Sequence, residues 1–132
     1  MAGNLDLLPT FAQLAGAALP KDRVLDGRSL WPLLAGETDR SPHDYFHFLN
    51  GSAPGAVNYR GIRDARWKLV LDVSKEGKVT GQELYDLGAD VSEKFNRMKD
   101  HPEIAQRLEA AAQQFHDELS KHIRPAGKRA AR

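Results

Sequence analysis

The chain has 132 residues, 41% of them hydrophobic and 28% charged. That is the size of one domain rather than two, with a composition unlike that of disordered, collagenous or mucin-like chains. Nineteen Lys and Arg against eighteen Asp and Glu leave a formal charge of +1, so no global field points to nucleic acid or a membrane surface, and the absence of cysteine excludes disulfides, thiolate zinc sites and cysteine nucleophiles.

In chain order, Met1-Ala2-Gly3-Asn4 lacks the charged-then-apolar layout of a signal peptide, and no later apolar run approaches the ~20 residues of a membrane-spanning helix. Leu7, Leu8, Phe11, Leu14 and Ala15 fall at helical spacings and form one apolar stripe, which predicts a helix over residues 6–16. Asp6 is its expected N-cap, Pro9 is tolerated in its first turn, and Gly16 closes it. Turns follow at Leu19-Pro20-Lys21-Asp22 and at Asp26-Gly27, the second predicting positive φ at the glycine. Ser29 then caps a short helical turn through Leu30-Trp31-Pro32-Leu33-Leu34, ended by Gly36.

From residue 43 the period becomes two. Tyr45–Leu49, Val57–Arg63, Trp67–Leu71 and Glu83–Leu87 read as four short strands. Asp64-Ala65-Arg66 is a hairpin connection, and Ser74–Lys78 is a polar loop. Strands joined by such turns favour an antiparallel sheet with one solvated face. Pro102 and Glu103 open a long terminal helix, with Asp100 or His101 as cap. Its Ile104, Leu108, Ala111, Phe115, Leu119 and Ile123 share the side expected to lie on the sheet. Residues 125–132 read as a basic, disordered tail. The predicted fold is α+β: a small four-stranded antiparallel sheet packed by the terminal helix, preceded by an N-terminal helix and a short helical turn.

Three clusters carry candidate chemistry. His43 and His47 flank Asp44, but four residues along a strand span roughly 13 Å, too far to share one ion. Asp86, Asp90 and Glu93 hold ingredients of a calcium loop without its alternate-residue spacing. The other reading is a turn in which Asp90 caps a helical turn starting near Ser92. Ser52-Ala53-Pro54-Gly55 has the Ser-x-Pro start of a formylglycine-type modification word, but Ala56 stands where that word needs Arg. There is no nucleophile elbow, phosphate loop or dinucleotide fingerprint.

Longer words are more specific. Asp6-Leu7-Leu8-Pro9-Thr10, Leu14-Ala15-Gly16 and Asp26-Gly27-Arg28-Ser29-Leu30-Trp31-Pro32-Leu33-Leu34-Ala35-Gly36 resemble, in order and spacing, blocks of the sulfatase family. Arg60-Gly61-Ile62-Arg63-Asp64-Ala65-Arg66-Trp67-Lys68-Leu69 resembles its hairpin, with Ala65 where the family usually has Gly. Glu83-Leu84-Tyr85-Asp86-Leu87, Asp90, Glu93 and Asn96 continue the likeness, with Val91 in place of Pro, and His101-Pro102-Glu103 opens a matching helix.

The resemblance is to the C-terminal portion of an arylsulfatase-like protein of the alkaline phosphatase superfamily. It implies that residues 1–36 end the large domain and lead into a C-terminal subdomain over 37–124. It also implies that the formylglycine and calcium belong to the N-terminal domain, which becomes the expected partner in cis or as a separate chain. No catalytic or metal-ligating residue carries over. The chain would then be a structural part of a sulfuric ester hydrolase, not catalytic alone, with neither nucleic acid nor membrane as partner. The resemblance also places the first strand near the mouth of the substrate cleft, which would make His47 and Asn50 the candidate rim contacts. The alternative for those two is a strand histidine with internal partners and a turn asparagine. A different reading of the whole chain is a stand-alone module that self-associates through the apolar face of residues 6–16.

Overall fold

A computed structural model of the chain describes residues 1–50 and 58–122. The chain divides into two compact units, Met1–Tyr45 and Phe46–Arg132, although its length is that of one domain.

In the first unit a 3-10 turn, Asn4–Asp6, leads into helix α1, Leu7–Leu14, and a single turn, α2, spans Trp31–Leu34. Both helices end at the expected glycines, Gly16 at φ +63° and Gly36 at φ +74°, in a backbone region that costs glycine nothing. In each case the following residue reaches back: Ala17 N–H to the Ala12 carbonyl and Glu37 N–H to that of Pro32, both at 2.8 Å. The N-cap of α2 is Leu30, not the expected Ser29, whose Oγ accepts from Trp31 N–H at 3.2 Å from one residue further out. The apolar stripe of α1 is exposed, with Leu7, Leu8, Phe11 and Leu14 between 47 and 61% accessible. Pro9 and Thr10, on its other side, are buried.

Two expectations fail here. The Asp6 side chain makes no cap bond to α1, because its carboxylate is taken by more distant donors, described below. Gly27 is absent from the positive-φ residues. It is glycine for space: a Cβ there would stand 1.9 Å from the Leu5 carbonyl oxygen.

The second unit holds strands β1 (Phe46–Asn50), β2 (Asn58–Arg63), β3 (Trp67–Val73) and β4 (Val79–Asp86), in that order and all antiparallel. Helix α3, Pro102–His122, packs across β2, β3 and β4. The β2–β3 turn is tied by Asp64, whose Oδ1 accepts from Arg66 N–H at 2.8 Å and Trp67 N–H at 2.6 Å. Ile62, Leu69 and Leu84 lie side by side in register, all fully buried. On α3, Leu108 is also fully buried, with Ala105 and Ala112 buried one turn to either side. The centre of the buried face of α3 therefore runs through two alanines the apolar stripe had not named. Small side chains there admit a close approach to the sheet, and the bulkier Ile104, Phe115 and Leu119 are half-buried at its margins. Ile123 lies outside the described residues. Trp67 and Tyr85 are buried sheet residues.

Strand β4 starts four residues earlier than its pattern suggested. Thr80, Gly81 and Gln82 hide the alternation, because the inward position is a glycine. Its missing side chain is replaced by Leu69 Cδ1 and Met98 Cε, each 3.1 Å from where a Cβ would stand. No helical turn forms at Ser92. Asp90 Oδ2 instead accepts the backbone N–H groups of Lys94 and Phe95 at 2.7 and 2.8 Å, which orders an irregular loop in which Glu93 has φ +55°.

Candidate functional site

The two rim candidates occupy different settings. On β1, the His47 ring stacks on Phe115 of α3, with centroids 3.7 Å apart and planes 6° from parallel. Its Nδ1 lies 2.5 Å from the Tyr59 hydroxyl on β2. Burial pushes the His47 pKa down to about 4 and raises that of Tyr59. The phenol thus keeps its proton beside a neutral imidazole, and one hydrogen bond joins the two. His47 is a strand histidine with internal partners. Asn50 lies at the exposed end of β1, opposite Asn58. The loop after it, with the Ser52-Ala53-Pro54-Gly55 word, lies outside the described residues.

The neutral His47 makes the second unit acid-sensitive. Its folded pKa lies below the ordinary 6.5, so its contribution is fully present above about pH 6.5 and is lost as pH falls towards 4. Urea midpoints should fall between pH 7 and pH 4.5 in the wild type. His47→Gln, which does not titrate, should flatten that fall; an unchanged slope would remove His47 as its source.

In the first unit the charged side chain of Asp6 is fully shielded from solvent. Its Oδ2 accepts from Gly3 N–H at 2.9 Å, and its Oδ1 from Arg28 N–H at 2.9 Å. His43 Nε2 lies 2.6 Å from that Oδ1. Thr10 extends the network, giving its hydroxyl proton to the Asp6 carbonyl at 2.6 Å and accepting Leu30 N–H at 2.9 Å. One carboxylate thus joins the chain start, the segment after Gly27 and the segment before β1. Burial pushes its pKa up, but the amides of Arg28 and Gly3, together with His43, outweigh that and hold it below the usual aspartate value. Its contribution is therefore present above about pH 4 and lost as pH falls through the lower folded value. At neutral pH, Asp6→Asn turns a donor towards these donors and should cost the unit about 1–3 kcal/mol, read from the Trp31 indole resonance and from amide exchange at Arg28.

The acidic cluster is also internally engaged. Asp86 takes both Arg66 bonds, Nε at 2.9 Å and Nη2 at 2.7 Å, and this guanidinium is the main reason its pKa is lowered. Both Glu93 oxygens accept from Lys68 Nζ, at 2.8 and 2.7 Å. Asp90 serves the loop amides, and Asp64 pairs with Arg107 at 2.5 Å. Among the described residues no group of three His, Cys, Asp or Glu side chains converges in the way a metal requires. This donor set does not fit calcium. With no cysteine in the chain, no cysteine-derived formylglycine can form on it either.

Sequence reasoning missed the Asp6 network because its partners lie 22 and 37 residues away. The only local signal was the pairing of two separate words, one with Asp6 and one with Gly27-Arg28.

Comparison with known proteins matches this arrangement. The family described as N-sulphoglucosamine sulphohydrolase, C-terminal, matches residues 1–124. Human steryl-sulfatase is 56% identical over 48 residues, which cover 36% of this chain and 8% of that protein. The N-acetylglucosamine-6-O-sulfatase of Bacteroides thetaiotaomicron is 32% identical over 126 residues, 86% of this chain and 22% of the relative. A protein solved in complex with its substrate D-glucosamine-2-N,6-O-disulfate superposes with a TM-score of 0.60 at 27% identity, over 94% of this chain and 25% of its own. The chain thus spans about a quarter or less of each of these proteins. It belongs to the N-sulphoglucosamine sulphohydrolase C-terminal family and matches the C-terminal portion of sulfatases.

Proposed function

We propose that the chain completes a sulfuric ester hydrolase as a structural C-terminal subdomain, with the chemistry supplied by an N-terminal sulfatase domain in cis or as a separate chain. The observation that carries this reading is the family match over residues 1–124, in a chain whose clustered carboxylates are spent on its own arginine, lysine and backbone donors. In sulfatases the N-terminal domain is the place for formylglycine and calcium, and nothing in the donor set here duplicates them. The exposed face of α1 supports the need for a covering partner, and the large domain is the partner we assign. In its absence the same face should drive self-association, visible as concentration-dependent sedimentation; a monomer at micromolar concentration would count against the assignment.

Asn50, at the free end of β1, is the rim contact we propose for this subdomain, with His47 acting beneath the strand to hold it against α3. The experiment is a chimera: residues 1–124 replace the matching C-terminal region of the Bacteroides N-acetylglucosamine-6-O-sulfatase. The truncated relative should be inactive and the chimera active. Asn50→Ala in the chimera should raise KM and leave kcat unchanged, as loss of uniform substrate binding does. A truncated relative that keeps full activity would overturn the structural role.

A further inference from the structure

Loop Ser74–Lys78, which joins β3 to β4, faces the later turns of α3 across an open groove of about 940 Å³. Gln113 fixes the groove in place: its Oε1 accepts Val79 N–H at 2.8 Å and its Nε2 donates to the Gly77 carbonyl at 3.0 Å. Gly77 has φ +83°, a backbone conformation in which any side chain is strained, and a Cβ there would come within 3.3 Å of His116 Cε1. The site is thus preformed by one helix side chain holding the end of the loop and the start of β4.

Its lining sets three lysines against two carboxylates, which are hydrogen-bonded to neutral groups and keep their charge: Asp117 Oδ1 accepts from Gln113 Nε2 at 2.9 Å and lies 3.7 Å from His116 Nδ1, and the Glu76 side chain bonds Ser74. Lys75, Lys78 and Lys121 are exposed, line the same groove and enter no ion pair among the described residues. His116 also lines it, and its Nδ1 is buried without a hydrogen-bond partner among the described residues. Three unpaired ammonium groups around a fixed, polar trough call for an anion.

We propose that this groove binds a segment of sulfated polysaccharide, with Lys75, Lys78 and Lys121 meeting its sulfate groups. Ammonium groups are hydrated point charges, without the bidentate fork that would grip one small oxyanion. Several of them along an open groove suit a chain that carries several anions. Among the described residues no Phe, Tyr, Trp or Arg lines the groove, so they offer none of the stacking that single-stranded nucleic acid relies on. Asn58 and Ser120 supply neutral groups for sugar hydroxyls. The choice of sulfate as the anion rests on the sulfatase reading above; the preference for an anion rests on the lysines.

The test is calorimetric titration of the full chain with a heparin hexasaccharide, its desulfated counterpart and a DNA oligonucleotide of similar charge. Lys75→Gln/Lys78→Gln/Lys121→Gln is compared with an equally charged control, Lys21→Gln/Lys94→Gln/Lys99→Gln. At a few tenths of a kcal/mol per exposed charge, the groove variant should bind heparin about tenfold more weakly, while the control stays within about twofold. Desulfated heparin and DNA should bind less well than heparin. Equal loss in both variants, equal binding of DNA, or no binding by the wild type would overturn the proposal. The readout needs no turnover, so failure of the chimera above and failure here are separate results.

Discussion

Gly27→Ala should abolish the ordered structure of the first unit at neutral pH. The added methyl would stand 1.9 Å from the Leu5 carbonyl oxygen, 2.6 Å from its carbon and 3.2 Å from the Asp6 nitrogen, all of them backbone atoms that cannot rotate away. Relief requires the Gly27 backbone to retreat, and the next residue is Arg28, whose N–H holds Asp6 at 2.9 Å. The substitution therefore combines overpacking, about 1–3 kcal/mol, with an under-satisfied buried carboxylate, about 1–3 kcal/mol more. For a unit of 45 residues that approaches its entire local stability. The Trp31 and Trp67 indole resonances report on the two units separately. Trp31 should collapse towards its unfolded shift, and protection of the Arg28 amide should vanish. A well-dispersed Trp31 signal with Arg28 still protected would contradict the packing described here.

Leu108→Ala should be the most damaging single truncation in the second unit. Leu108 is fully buried on the helix that packs across β2, β3 and β4, the strands that carry the fully buried Ile62, Leu69 and Leu84. Its neighbours on the helix are Ala105 and Ala112, which are too small to move into the space. A site that cannot collapse keeps its cavity, so the cost should lie towards the upper part of the ~2–5 kcal/mol range for such changes. Leu108→Met, which conserves volume, should cost less than about 1.5 kcal/mol. Urea unfolding followed at Trp67 gives both values, and a Leu108→Ala loss below about 1 kcal/mol would place the core elsewhere.

These two residues also mark what the amino-acid order makes legible. Local regularities were readable: the glycine-ended helices, the Asp64 turn, the four strands and the proline-led terminal helix follow from spacing and capping chemistry. Leu108 was readable as a core residue because helical periodicity depends only on near neighbours. The exact buried line was not, since Ala105 and Ala112 matter for the room they leave, which no hydrophobic pattern scores. Gly27 looked like a turn glycine because its reason lies 22 residues back, at Leu5. Asp6 looked like an ordinary cap for the same reason. The first half of β4 was lost because Gly81 occupies an inward position that Leu69 and Met98 fill from outside.

The candidate site divides in the same way. The alternative for His47, a strand histidine with internal partners, describes its stacking on Phe115 and its bond to Tyr59. The acidic triplet seemed to offer one calcium site or one turn. Instead, Asp86 and Glu93 pair with Arg66 and Lys68 from β3 and the turn before it. Sequence spacing shows which side chains are available, but the three-dimensional pairing decides which of them still have charge to offer.

We propose that this chain completes a sulfatase without carrying its chemistry. This is tested most directly by following 4-nitrophenyl sulfate hydrolysis by the purified chain in the presence of calcium. The account predicts release at the buffer rate at every chain concentration. Turnover that rises in proportion to the chain and is abolished by unfolding it would contradict the account.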